Sequence, residues 1–116
     1  MKTLYRSTRE TASHTMTSSQ AVLQGLTPDG GLFVPVTLPT ANFDFDQLAT
    51  MSYQEVAYEV LKLFFTDYTA DELHACIDAA YGDQFDDPKI APVTKHGQQY
   101  YLELFHGPTI AFKDLA

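Results

Sequence analysis

Only one cysteine, Cys76, stands among the 116 residues, so no disulfide can close within the chain. Positive charge is scarce as well. Seven Lys and Arg face fifteen Asp and Glu, a formal net charge of -8 that repels phosphate backbones, so no nucleic-acid partner is expected. No apolar run reaches the roughly 20 residues of a membrane-spanning helix, because Lys62 interrupts the longest candidate. The opening Met1-Lys2-Thr3-Leu4-Tyr5-Arg6 lacks the apolar core of a secretory signal, and a cytoplasmic location without membrane contact is expected. Internal repeats and low-complexity tracts are absent, so disorder is not the reading. The pair Gly30-Gly31 has neither P-loop nor Gly-x-Gly-x-x-Gly spacing and reads as turn structure, not a phosphate cradle.

What is present suits one folded unit. A 45% hydrophobic chain of 116 residues is long enough to bury about two thirds of its unfolded surface. The acids cluster: Asp67, Asp71, Glu72, Asp78, Asp83, Asp86 and Asp87 lie between Lys62 and Lys89 with no Lys or Arg among them. Without EF-hand spacing they read as a solvated outer face.

Three stretches have the spacing of a helix-opening capping box, in which a hydroxyl and a Glu or Gln three residues later bond each other's backbone. They are Thr17 to Gln20, Ser52 to Glu55 and Thr69 to Glu72. The first predicts a two-turn helix that ends where Gly25 takes a positive φ. After the second, Tyr53, Val56, Ala57, Val60, Leu61 and Phe64 recur at helical spacing, while Leu63 and Phe65 fall outside the stripe. After the third come Leu73, Cys76, Ile77, Ala80 and Tyr81, with Gly82 as the stop; this makes Cys76 core material. His74 and Cys76, two apart, point to different sides of a helix and cannot share a metal ion. Strands are expected at Leu4 to Ser7, ahead of a Ser/Thr-rich connection to an exposed His14, and at Leu32 to Val36 after the turn Thr27-Pro28-Asp29-Gly30-Gly31. Past Pro88 and Pro92, a hairpin is expected with His96-Gly97 as its turn.

The stretch from Glu103 to Ala116 carries the chemistry. An apolar run, Tyr100 to Phe105, meets Gly107-Pro108, and Thr109 is then expected to open a helix with Lys113 about one turn inside. A helix N-terminus and the apolar neighbours Ile110, Ala111 and Phe112 would both disfavour the ammonium, whereas Asp114 would favour it, so the net effect cannot be signed. On residue type alone Lys113 is a surface lysine. His106, at the strand end, could touch a cofactor or merely cap backbone groups.

The run Glu103-Leu-Phe-His-Gly-Pro-Thr-Ile-Ala-Phe-Lys113-Asp resembles the pyridoxal-phosphate lysine segment of the threonine synthase family. The run Gly25-Leu-Thr-Pro-Asp-Gly-Gly-Leu-Phe-Val-Pro35 resembles that family's N-terminal signature, and Tyr5-Arg6-Ser7-Thr8-Arg9 its opening strand. Thr27 stands where the family often has a small apolar residue, and Ile110 where it often has leucine. The resemblance implies an α/β fold: a small helix-rich N-terminal domain with a few strands, from a fold-type-II pyridoxal-phosphate enzyme. Residues 1–92 would be the N-terminal domain and 93–116 the start of the cofactor domain. The implied lyase reaction converts O-phospho-L-homoserine and water to L-threonine and phosphate. Lys113 would be catalytic and bind the cofactor, with His106, Thr109 and Asp114 as further cofactor-site residues and no metal.

A phosphate-binding loop and a partner for the pyridine nitrogen are not found upstream of Lys113, and the chain stops three residues after it. It is therefore expected to be an N-terminal fragment, inactive and without cofactor by itself. The alternatives are another fold-type-II lyase such as a serine or threonine dehydratase, a non-catalytic threonine-synthase-like protein, or an autonomous binding module.

Overall fold

The computed structural model describes residues 2–9 and 14–116. In chain order it forms β1 (Tyr5–Ser7), α1 (Ser18–Gln24), β2 (Phe33–Pro35), α2 (Phe45–Leu48), α3 (Tyr53–Leu61), α4 (Ala70–Ala80), β3 (Val93–His96), β4 (Gln99–Leu102) and a 3₁₀ turn, Phe112–Leu115. This is the small, helix-rich mixed α/β unit expected. The Ser/Thr-rich connection falls largely on residues 10–13, outside the described residues; His14 is exposed.

All three capping boxes close. The backbone N–H groups of Thr17, Ser52 and Thr69 donate to Gln20, Glu55 and Glu72 at 3.0, 2.7 and 2.8 Å, and the three hydroxyls accept in return. A fourth helix, α2, is a single turn capped by Asp44, whose carboxylate accepts from Asp46 and Gln47. One turn is too short for hydrophobic periodicity to reveal it. Gly25 takes φ 75° and ψ -79°, and the Leu26 N–H donates to the Gln24 carbonyl, closing a γ-turn at the end of α1. At the end of α4 the expected glycine stop is replaced by a side chain. Gln84 donates its amide to the Ala79 and Ala80 carbonyls at 2.9 and 2.7 Å.

The strands form two separate antiparallel pairs. β1 lies against β2 in the register Arg6 opposite Val34, and Tyr5 also bridges to Met16. β3 pairs with β4 from Val93 opposite Leu102 to His96 opposite Gln99. His96 is thus the last strand residue, not part of the turn. Gly97 and Gln98 make the turn, with Gly97 at φ 62° supplying the conformation a tight hairpin needs.

α3 and α4 run antiparallel, with Tyr58 stacked on His74 at 4.0 Å and Tyr53 edge-on to Tyr81 at 5.0 Å. The buried apolar side chains among the described residues are Ala21, Leu73, Ile77, Phe85 and Ile90. α4 therefore faces the core as expected, but α3 contributes only half-buried side chains. Cys76 is exposed rather than core. It lines an open apolar groove with Val22, Leu61, Phe65 and Tyr68, so the apolar stripe of α4 extends past what these residues cover.

Polar bonds complete the assembly. Thr3 donates its backbone N–H to the Thr66 hydroxyl and its own hydroxyl to the Leu63 carbonyl, while the Tyr5 hydroxyl donates to the Phe64 carbonyl. These bonds dock β1 on the turn after α3. Asp67, from the same turn, accepts from the Ser18 and Ser19 hydroxyls and from the Ser19 N–H at the start of α1. Asp67 is thus no member of a plain solvated face. Burial would push its carboxyl up, but the bonds from Ser18 and Ser19 outweigh that and hold it far below the ordinary carboxylate range.

The radius of gyration is 16.4 Å, against about 13 Å for a compact domain of this length. The accessible surface is 8460 Å², against about 6,300 Å² for a folded monomer of this mass. Leu23, Leu38, Phe45, Ile110 and Phe112 are all exposed.

Two outcomes are expected in urea melts. Ile77→Ala removes buried methyl groups and should cost about 2–5 kcal/mol, whereas Cys76→Ala should change stability by less than about 0.5 kcal/mol; equal costs would contradict this core. Asp67→Asn should cost on the order of 1 kcal/mol at pH 7. Because the folded-state value is depressed, this stabilisation is present above the unfolded value near 3.8 and is lost as pH falls through the folded one. The gap between parent and variant should therefore narrow below pH ~4; a gap of constant size down to strong acid would contradict it.

Candidate active site around Lys113

β4 delivers the chain to the site. Just past its end, the Glu103 N–H donates to the Pro92 carbonyl at 2.9 Å, which carries the pairing one step beyond the hairpin. The Glu103 carboxylate then accepts from the Thr94 hydroxyl at 2.9 Å through one oxygen and meets His106 Nε2 at 2.7 Å through the other. The second ring nitrogen, Nδ1, is bonded to the Asp86 carboxylate. A neutral imidazole has a single N–H, so two carboxylates on its two nitrogens call for the imidazolium. Consistently, the Glu103 and Asp86 bonds raise the His106 pKa above its ordinary value against the opposing effect of burial. The His106 and Thr94 bonds lower that of Glu103. With its ring 12% exposed and both nitrogens engaged, His106 acts as a brace between the loop after α4 and the end of β4.

The Asp86 N–H also donates to the His106 carbonyl at 3.0 Å, so Asp86 grips that residue at ring and backbone together. Gly107 follows and is buried. A Cβ there would lie 2.5–2.8 Å from Asp114 side-chain atoms, so only glycine lets this carboxylate approach. Asp114 in turn accepts from the Thr109 N–H at 2.9 Å, and the Ile110 N–H closes the Gly107–Ile110 turn onto the Gly107 carbonyl at 3.0 Å. Ile110 takes φ 59°, a rare conformation for a β-branched residue. Ile90, in the loop after α4, takes φ 63°.

These features correct the expected local structure. Thr109 does not open a helix: positive φ at Ile110 and extended backbone at Ala111 interrupt any helical run, and the 3₁₀ turn starts only at Phe112 without a side-chain cap. Lys113 is the second residue of that turn and is exposed. Ile110 and Phe112 are 74% and 69% exposed, so they do not bury its amine. Among the described residues no carboxylate pairs with Lys113, since neighbouring Asp114 is turned to Thr109. Beyond the lysine, the Tyr81 hydroxyl donates to the Leu115 carbonyl at 2.8 Å.

The structure thus gathers His106, Thr109, Lys113 and Asp114 in one clamped segment. Asp86 and Tyr81 join them: Asp86 is solvated as expected, its side chain 77% exposed, but it has a specific partner, and Tyr81, expected in a helix stripe, caps α4 instead. Their partners lie 20 and 34 residues away, a separation that no local periodicity encodes. Among the described residues no group of three or more His, Cys, Asp or Glu is arranged to hold a metal ion.

Near the N-terminus a second polar knot fixes the Thr27–Gly31 turn. One Asp29 oxygen accepts from the Thr27 hydroxyl, the Ser7 hydroxyl and the Gly31 N–H at 2.6, 2.7 and 3.0 Å. Thr27, a departure from the family pattern, is 4% exposed, and its hydroxyl goes to this bond. These three bonds lower the Asp29 pKa, the Thr27 bond most of all.

Comparison with known proteins places the chain. Residues 4–81 match the family model described as threonine synthase N terminus. The chain is 38% identical over 125 residues to threonine synthase of Eremothecium gossypii, covering 100% of this chain and 24% of that protein. It is 44% identical over 104 residues to human threonine synthase-like 1, covering 84% of this chain and 14% of that protein. The crystal structure of pyridoxal-phosphate-bound threonine synthase from Brucella melitensis superposes with a TM-score of 0.81 at 36% identity, over 97% of this chain and 25% of that one. The chain therefore spans a quarter or less of the length of these relatives. With two thirds of its residues inside the family model and a matching fold, the chain belongs to the threonine synthase family, whose N-terminal region it represents.

Proposed function

We propose that Lys113 is the lysine to which pyridoxal 5'-phosphate binds in a full-length threonine synthase that includes this chain. The observation that carries this is an exposed amine, unpaired among the described residues of a chain of net charge -8, on a segment clamped both before and after it. An unpaired primary amine fits the aldehyde of the cofactor, and the relative from Brucella melitensis carries that cofactor.

The reaction is the conversion of O-phospho-L-homoserine and water to L-threonine and phosphate. When bound, pyridoxal phosphate supplies an aldehyde for covalent attachment and a conjugated ring that withdraws electrons from the substrate's α-carbon. Lys113 moves protons at the substrate's α and β carbons. Asp114 and Thr109, bonded to each other, set where the 3₁₀ turn begins, and the exposed Thr109 joins the cofactor site. His106 supports that site from within, because both of its ring nitrogens are engaged.

Residues 1–92 form the N-terminal domain in this reading and 93–116 the start of the cofactor domain. Two features support that division: β3 and β4 pair only with each other, and the family model ends at residue 81. The protein works in the cytoplasm. No helix among the described residues is long and apolar enough to cross a membrane. The 116 residues alone do not turn over substrate, since Lys113 holds the cofactor at one point only and catalysis needs it oriented.

The likeness to human threonine synthase-like 1 is compatible with a second reading, in which this chain belongs to a non-catalytic threonine-synthase-like protein. Borohydride reduction of the full-length holoprotein, followed by peptide mapping, tests the lysine assignment. The pyridoxyl group is expected on the peptide containing Phe112-Lys113-Asp114, and is expected to be absent from the 116-residue chain treated in parallel. A label on Lys62, Lys95 or any lysine outside this chain would overturn the assignment.

A further inference from the structure

Two residues with no part in the chemistry hold the segment on which Lys113 stands. Before the lysine, Asp86 bonds His106 at the ring and at the carbonyl. Beyond it, the Tyr81 hydroxyl bonds the Leu115 carbonyl at 2.8 Å. Both holding residues come from one place, the end of α4 and the loop after it. We propose that Tyr81 and Asp86 are positioning residues for Lys113, a pair of clamps by which the α3–α4 helical hairpin fixes the cofactor lysine from both sides. This inference rests on the reading of Lys113 given above.

The clamps are anchored on their own side. Tyr81 lies edge-on to Tyr53 at the start of α3, and its carbonyl accepts from the Gln54 side chain. Gln84 ties the loop back to the last carbonyls of α4, and Phe85, 7% exposed, seats it in the core. Asp86 adjoins Phe85, so its backbone is seated next to the core, while its side chain, 77% exposed, reaches His106 from the surface.

Between the clamps the segment is stiffened from within. His106 joins directly to Gly107, Gly107 is in contact with Asp114, and Asp114 is bonded to Thr109 and precedes Leu115. Lys113 is therefore the exposed side chain of a loop held at both ends and crossed within by the Thr109–Asp114 and Ile110–Gly107 bonds. A loose lysine would sample many positions of its amine, and a displacement of about 1 Å can cost about a hundredfold in rate.

The test uses Tyr81→Phe and Asp86→Asn in the full-length holoprotein. Tyr81→Phe keeps the ring contacts and removes only the hydroxyl; Asp86→Asn keeps the backbone bond and the shape. Asp83→Asn, a nearby exposed acid outside the network, serves as control. Hydrogen exchange of peptides covering residues 107–116 should rise about tenfold in both variants, while peptides of α1 remain as in the parent. kcat should fall about tenfold with KM within about twofold, since what is lost is orientation and not substrate binding. Asp83→Asn should change neither reading. Unchanged exchange, or unchanged kcat despite faster exchange, with the borohydride label still on Lys113, would overturn the clamp alone. A label on another lysine would overturn the cofactor assignment, and this role with it, whatever the exchange shows.

Discussion

The bond between Asp86 and His106 is the contact on which the site depends, because it ties the helical part of the chain to the segment that carries Lys113. A small apolar core cannot do this. Its buried apolar members lie at Ala21, Leu73, Ile77, Phe85 and Ile90, none of them beyond β3 in the chain. The lysine segment therefore attaches to the helices through directed polar bonds. These are directional and so fix position more sharply than apolar contact does, with His106 12% exposed and the Asp86 side chain 77% exposed. The charge on His106 sets the condition under which the tie holds. A raised folded-state value means that the imidazolium's contribution is present at low pH and is lost as pH rises through that value.

The same dependence on polar bonds recurs at the other end of the molecule. β1 hangs on the Leu63–Thr66 turn by bonds from Thr3 and Tyr5, and α1 is seated by Asp67. The excess surface and the exposed apolar side chains show why. A chain that spans a quarter or less of its relatives' length presents apolar surfaces, such as the groove along α4 and the Val93, Tyr100 and Leu102 face of the β3–β4 hairpin, that these residues do not cover among themselves.

Much of this was legible in the sequence. The capping boxes at Thr17, Ser52 and Thr69 are local chemistry, written within four residues, and all three formed. The hairpin could be placed because Gly97 sits between two strand-like runs. What escaped was of two kinds. Helix α2 is one turn long and leaves no periodic trace. Cys76 obeys the period of α4 yet is exposed, because periodicity reports that a face is apolar and not that something covers it. The largest local error, a helix opening at Thr109, came from reading a hydroxyl after a Gly-Pro break as a cap; the Thr109 N–H is instead claimed by Asp114 from five residues ahead. The roles of Asp86 and Tyr81 depend on chain segments that meet only in the folded state. The acidic run that holds Asp67 and Asp86 reads as uniform solvated charge, and Asp86 is indeed exposed, yet each of those two carboxylates is bonded to one specific partner segment.

The most direct measurement is an NMR titration of His106. Held between Asp86 and Glu103, its ring is expected to titrate above the ordinary value of 6.5, and to move back toward it in Asp86→Asn. A ring that titrates at or below 6.5, or one indifferent to the loss of Asp86, would contradict the account.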